Sequence, residues 1–501
     1  MALADYYGRG ALAAAQALQG GFEDSRFRAL LEATPVGIAF GQDASKTTEG
    51  RALLDLTIRL AARLFPAIQL DPGDGARADD AAELARAINP RIELVQDTAQ
   101  IGVSLADAST TYPYTVHAGS EGWDALISTD SPQSTAGSEL PFGAGAAACL
   151  AIAEIFRRVF LPGEQQRPQG ELRYSTFAPG AGTSPAAVTN FADSGRTALI
   201  GAGAIGNAAT WALARAPIQG TLHVVDPEEV ELGNLQRYAL AKRGDEGAAK
   251  APLAAAQLTG SFEGTPHPVA LARFLTEHGY AWDRMLLALD SSRDRRSAQA
   301  SLPRWIANAW TQPGDLGLSV HPSFDSEGSC VSCLYLQERE MPSEDQLIAE
   351  ALGIADQLGQ VRQLLVTGEG LQVQLAGLIA QRLQRPPELL AAFAGRPIRD
   401  LYVQGICGGA VLPLGSAQSP RGDVHVPLAH QSALAGVLLA AAYARSLSAE
   451  ALTRSEVARL DVMRATAAVE PQPSRKRGDG RCICEDLDFL AAYTGKWLTR
   501  S

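Results

Sequence analysis

A strand that runs directly into Gly201-Ala-Gly203-Ala-Ile-Gly206 and on into an alanine-rich helix leaves few choices of fold. The apolar run Ala198-Leu199-Ile200 predicts the strand, and the helical spacing from Ala208 to Ala216 predicts the helix. Gly201 permits a tight turn, Gly203 lets backbone approach a phosphate, and Gly206 lets the helix lie close to the strand. The helix N-terminus adds free N–H groups. A second apolar run, Leu222 to Val225, ends in Asp226, where a carboxylate can accept hydrogen bonds from ribose hydroxyls. The pattern predicts an α/β, Rossmann-like sheet with a bound nucleotide.

The fingerprint alone fits a dinucleotide oxidoreductase as well as an ATP enzyme. The residues after Asp226 separate the two. Asn234, Arg237 and Lys250 fall within one short segment, and hydride transfer has no use for two extra cations beside the phosphates. ATP does, because charge stabilisation lowers the barrier to attack on its α-phosphate. For either cation alone, a solvated residue after a strand is the other reading. Met285 to Leu289 predicts a further strand ending in Asp290, placed either to hold magnesium with ATP oxygens or to cap the next helix.

Taken together, Gly201, Gly203, Gly206, Asp226, Asn234-Leu-Gln-Arg237, Lys250 and Asp290, in this order and spacing, closely resemble the ThiF/MoeB and ubiquitin-activating enzyme superfamily. The resemblance is specific from about Thr197 to Cys333. It implies ATP-dependent adenylation of the C-terminal glycine of a small ubiquitin-fold protein. Asp226 would hold ribose, Asn234, Arg237 and Lys250 the triphosphate, and Asp290 magnesium. Relatives often pair an active adenylation domain with a degenerate copy, and residues 1–165 look like that copy, an unrelated α/β or helical domain being the alternative. Residues 166–195, rich in Pro, Gly, Gln and Ser, read as a linker. Residues 196–335 would open the active domain, 336–415 a helical insert and crossover loop with the catalytic cysteine, and 416–501 the return of the domain with a zinc-bound tail. The resemblance also suggests a bacterial antiphage setting, a conjugating-enzyme partner, and a homodimer or pseudo-dimer. Arg173, in an Arg-Tyr pair, reads either as a phosphate contact or as an ordinary linker arginine.

The chain has 501 residues, 46% of them hydrophobic, and six cysteines. Its net charge of -12 argues against nucleic acid as a ligand. Its apolar stretches are too short to span a bilayer, and its first residues read as a helix without a signal-peptide pattern, so the expected location is the cytoplasm. Cys330-Val-Ser-Cys333 resembles the first half of the family's structural zinc site, and Cys482-Ile-Cys484 is a shortened second half. Redox-inert thiols are the alternative. Cys149 lies in an apolar helix, which leaves Cys407, flanked by Gly405, Gly408 and Gly409 in a predicted loop. It reads as the nucleophile that takes the acyl group as a thioester, or as a small buried residue in a glycine-rich turn.

Gly41 to Lys46 reads as a turn, Ala52 to Phe65 and Pro141 to Phe160 as helices, and Ile92–Val95 and Trp123–Ser128 as strands. Arg295 to Trp305, Glu344 to Phe393, Ser432 to Arg445 and Leu487 to Leu498 read as helical, and Glu470 to Gly480 as mobile. No room is expected after Leu498 for a C-terminal ubiquitin-fold domain. The rival functions are a sulfur-carrier adenylyltransferase without thioester transfer, an NAD-dependent oxidoreductase, and an inert scaffold.

Overall fold

Short strands buried on both faces, such as Val36–Phe40 and Thr197–Ile200, pair in parallel only where helices cover the sheet. The computed structural model describes residues 3–18, 22–73, 78–161, 168–182, 184, 188–312, 315–336, 343–402, 427–465 and 470–498. Within them the chain builds two eight-stranded sheets. The first contains β1 (Val36–Phe40), β2 (Ala67–Pro72), β3 (Glu93–Val95), β4 (Ile101–Leu105), β5 (Tyr114–Glu121), β6 (Asp124–Ser128), β7 (Leu172–Ser175) and β8 (Gly180–Ala181). The second contains β9 (Thr197–Ile200), β10 (Gly220–Val225), β11 (Phe262–His267), β12 (Arg284–Leu287), β13 (Trp305–Gln312), β14 (Asp315–His321), β15 (Glu456–Leu460) and β16 (Gln472–Pro473).

The two sheets repeat one topology. Their orders are β3-β2-β1-β4-β5-β6-β7-β8 and β11-β10-β9-β12-β13-β14-β15-β16. In each, the first five strands of that order are parallel and the last three antiparallel. The helices correspond as well: Thr48–Leu64 comes after β1 as Ala204–Leu213 comes after β9, and Phe142–Phe160 after β6 as Ala429–Ser446 after β14. These four helices pack against one another, with glycines at the closest crossings. A Cβ on Gly145 would stand 2.8 Å from the Trp211 ring, and one on Gly436 would stand 2.4 Å from the Ile205 carbonyl. Both sheets fall in one compact unit.

Residues 343–402 belong to a second unit with a core of its own, centred on Ile348, Leu352, Val361, Ile379 and Leu390. Its helices are Glu344–Ala351, Leu358–Thr367, Val373–Arg382 and Pro387–Ala391, with Pro387 at a helix start where its missing N–H costs nothing. Arg399 closes the unit on Glu344 through two hydrogen bonds of 2.8 Å. Among the described residues no helix is long and apolar enough to cross a membrane.

Several sequence expectations are corrected. Gly41 to Lys46 is not a plain turn, since Gln42–Lys46 forms a short helix. Residues 166–195 supply β7 and β8 to the first sheet, because Arg173 anchors β7 to Asp124 (2.7 Å) and Glu121 (2.5 Å). Arg173 is therefore an ion-pair residue within the first sheet. The helix predicted to reach Trp305 stops at Ala300, and Trp305 opens β13. Leu302 takes φ +55, and Pro303 has no N–H to offer a helix. Nor is Glu470 to Gly480 loose throughout: Gln472–Pro473 pairs with Glu456–Val457, and Ser474 exchanges backbone hydrogen bonds with Ser455 and Ser329 at 2.9 Å each.

Candidate nucleotide-binding site

The second sheet's central strand ends in the glycine turn. Gly201 has φ +94, which other residues adopt at a cost, and a Cβ there would lie 2.6 Å from the Ala288 carbonyl beyond β12. Gly206 admits no side chain either, since its Cβ would stand 1.9 Å from the Gly201 carbonyl. The Ala204–Leu213 helix can thus start hard against the strand end, with Gly203 at its N-cap and no side chain capping its first N–H groups. Those donors suit an anion.

Asp226, just past β10, is 6% exposed. Its Oδ2 accepts from the Ala202 N–H at 2.7 Å and its Oδ1 from the Glu228 N–H at 2.9 Å. Burial pushes its pKa above the usual carboxylate range, although these hydrogen bonds and the nearby Lys250 pull the other way. Each oxygen retains acceptor capacity for a hydroxyl donor.

Lys250 opens the short Lys250–Ala255 helix and is buried, at 4% exposure. Its Nζ donates to Glu228 at 2.5 Å and lies 5.4 Å from the centre of the Tyr238 ring. Burial opposes its charge, but Tyr238 and Glu228 more than reverse this and hold the ammonium above the ordinary lysine range. The Arg237 guanidinium stands 5.7 Å from the same ring. The Tyr238 hydroxyl in turn comes within 3.6 Å of where a Gly203 Cβ would be. The two cations therefore share an aromatic support that touches the glycine turn. Because the Glu228 side chain is 69% exposed, its hold on Lys250 is weak, and an incoming polyanion can replace it.

Asn234 is occupied differently from the expectation. Its Oδ1 accepts from the Glu231 N–H at 3.0 Å and closes the Leu232–Asn234 turn, so this oxygen holds the loop in shape. Asp290 lies beyond the end of β12 and is exposed. It does not cap the next helix; Ser291 does, accepting from the Asp294 N–H at 3.2 Å. Cys407 lies outside the described residues.

Tyr238 and Glu228 were missed from sequence. Tyr238 directly follows Arg237, yet an aromatic at that place reads as core, and it is indeed 3% exposed.

The four cysteines of the two short motifs meet away from the turn. Cys330, Cys333, Cys482 and Cys484 are all buried, with sulfur atoms within 4.8 Å of one another. The nearest contacts are 3.3 Å (Cys333–Cys482), 3.5 Å (Cys330–Cys482 and Cys333–Cys484) and 4.0 Å (Cys330–Cys333). A tetrahedral zinc with Zn–S near 2.3 Å requires S···S of about 3.8 Å, so the cage has the right size and donor type. Cys149, by contrast, is buried in the Phe142–Phe160 helix, and desolvation alone pushes its thiol far up.

Residues 184–264 match the ThiF family, and residues 39–161 match Prokaryotic E2 family C. The uncharacterized protein y4jF of Sinorhizobium fredii (strain NBRC 101917 / NGR234) is 40% identical over 510 residues, covering 99% of this chain and 98% of that protein. Solved structures with some likeness include E. coli MccB with AMPCPP and MccA (12% identity, TM-score 0.34, 57% of this chain and 66% of that chain). They also include E. coli MccB alone (13%, 0.37, 60% and 66%). A third is the E. coli tRNA N6-threonylcarbamoyladenosine dehydratase TcdA (24%, 0.21, 23% and 52%). The chain thus spans slightly less than two thirds of the MccB and about half of the TcdA chain. The glycine turn, Asp226, Arg237 and Lys250 all fall inside the ThiF match, and the chain belongs to the ThiF/MoeB-type, E1-like superfamily.

Proposed function

We propose that this protein uses ATP to adenylate the C-terminal glycine of a ubiquitin-like protein, and that Cys407 then takes the acyl group as a thioester for transfer to a conjugating enzyme. The observation that carries the reading is the pair of cations, Arg237 and Lys250, set on one tyrosine ring beside the glycine turn. A dinucleotide site has no such need, whereas attack on an ATP α-phosphate develops charge that these groups would stabilise as pyrophosphate departs. Asp226 would accept from the ribose, and Asn234, through the loop it shapes, would keep Arg237 in reach of the triphosphate. Asp290, exposed at the same strand end as the turn, would supply a magnesium ligand.

The first half would be the degenerate partner. It repeats the topology, but a short helix stands where the second half has its glycine turn. At the start of its Thr48–Leu64 helix the buried Glu49 carboxylate already accepts from the N–H groups of Gly122 (2.5 Å) and Ser138 (2.9 Å). A side chain of the protein's own already occupies these donors, which disfavours a phosphate. Nor is Cys149, the one cysteine in the segment matching Prokaryotic E2 family C, suited to carry an acyl group, being buried and hard to ionise. Zinc on Cys330, Cys333, Cys482 and Cys484 would tie the tail to the second sheet's unit. A cytoplasmic setting in antiphage defence, with the chain as a homodimer or as a pseudo-dimer of its own halves, completes the proposal.

The test is ATP–pyrophosphate exchange stimulated by a ubiquitin-like protein ending in glycine, and then electrophoresis without and with thiol. The expected result is exchange together with a thiol-sensitive adduct that disappears in Cys407→Ala. Exchange without an adduct would favour the sulfur-carrier type of adenylyltransferase, and tight NADH binding without exchange would contradict adenylation.

A further inference from the structure

Two buried arginines of the first half grip the loop that carries the second half's cations. The Arg63 side chain, on the Thr48–Leu64 helix, donates through Nη2 to the carbonyls of Tyr238 (2.5 Å), Ala239 (3.1 Å) and Ala241 (2.5 Å), and through Nη1 to the carbonyl of Arg59 (2.5 Å). Arg59 donates to the carbonyls of Ala239 (3.1 Å) and Leu240 (3.3 Å), while its Nε is held by Asp55 at 2.8 Å. From the other side, Asn207 of the glycine-turn helix accepts the Leu240 N–H at 2.6 Å. All three side chains are buried, and burial pushes the Arg63 pKa down to about 10, still charged at neutral pH.

Two charged guanidinium groups thus cover four consecutive carbonyls, Tyr238 to Ala241, and charge-assisted bonds hold a backbone more firmly than neutral ones. This grip fixes the backbone of Tyr238, and with it the ring on which Arg237 and Lys250 rest. We infer that Arg59 and Arg63 are positioning residues for triphosphate recognition, so that the first half serves as the brace holding the second half's cations in place. This rests on the ATP reading above. The brace acts on the β and γ phosphates; ribose and the α-phosphate are met by Asp226 and the glycine turn, which the arginines do not touch.

The experiment compares ATP and AMP binding by calorimetry, and ATP–pyrophosphate exchange kinetics, in wild type, Arg63→Met, Arg63→Lys and Arg59→Met, each checked by thermal melting. A displacement of about 1 Å at such a site is worth on the order of a hundredfold in rate. The expected result is a rise of about tenfold or more in KM and Kd for ATP in Arg63→Met, AMP affinity within about twofold of wild type, and partial recovery in Arg63→Lys. If Arg63→Met does not fold, Arg59→Met, which loosens the same carbonyls with fewer bonds, is expected to show the same ATP-selective loss at severalfold. Parallel losses of ATP and AMP affinity, or unchanged ATP affinity in the folded variants beside an active wild type, would overturn the brace and leave the ATP reading standing. A wild type that does not bind ATP would overturn both.

Discussion

Replacing Lys250 by methionine is expected to lower ATP–pyrophosphate exchange by about 10²–10³-fold with little loss of fold, consistent with removal of one preorganised charge from a site of developing negative charge. The fold should survive because the methylene stem, which fills the buried space, is kept. Among the described residues the ammonium that is lost pairs with the exposed Glu228 and interacts with Tyr238. Glu228, left without its cation, faces solvent and needs no partner. Arg237→Met should behave alike and the double variant should lose less than the sum, since both cations act on one triphosphate through one ring. Exchange within a few-fold of wild type in Lys250→Met would show that the cation serves only to pair with Glu228.

The second large effect concerns the tail. Removing zinc with a strong chelator, or substituting Cys482→Ser, is expected to lower the melting temperature by several degrees and expose the Leu487–Trp497 helix to protease and hydrogen exchange. Structural zinc contributes folding free energy directly, and its loss leaves four buried thiols crowded together. Release should be partial. Lys496 still donates to the carbonyls of Ser301 (2.7 Å) and Leu302 (2.9 Å), and the Trp497 indole to Leu302 (2.9 Å). The helix is therefore expected to fray from its first turn, nearest Cys484, before its last. One zinc per chain by elemental analysis, lost in Cys482→Ser, supports this; metal-free protein with an unchanged melting point contradicts it.

How much of this was legible in the sequence depends on how far each signal reaches along the chain. The glycine turn, Asp226 and both cations lie within about fifty residues of one βαβ unit, whose glycine and periodicity signals are local. The cysteine cage was legible although its halves are far apart, because two paired thiol motifs have few other uses. Local pattern failed where a distant partner decides. Leu172–Ser175 is too short and too near prolines and glycines to read as a strand, and it becomes one because β6 and Asp124 receive it. Gln472–Pro473 is ordered by β15 in the same way. Arg59 and Arg63 look like solvated charges on an amphipathic helix, and only the folded chain brings them to carbonyls beyond residue 237. The repeated topology was only partly visible, since the first half keeps the strand order without the glycine turn that marks the second.

The central claim is that the turn, Asp226 and the tyrosine-borne cations form a triphosphate site. Titration calorimetry of the wild-type chain with ATP, AMP and NADH, in magnesium, tests it most directly. The account predicts that ATP binds at least about tenfold more tightly than AMP, that this surplus vanishes in Lys250→Met, and that NADH binds weakly. Equal affinities for ATP and AMP, or NADH as the tightest ligand, would contradict it.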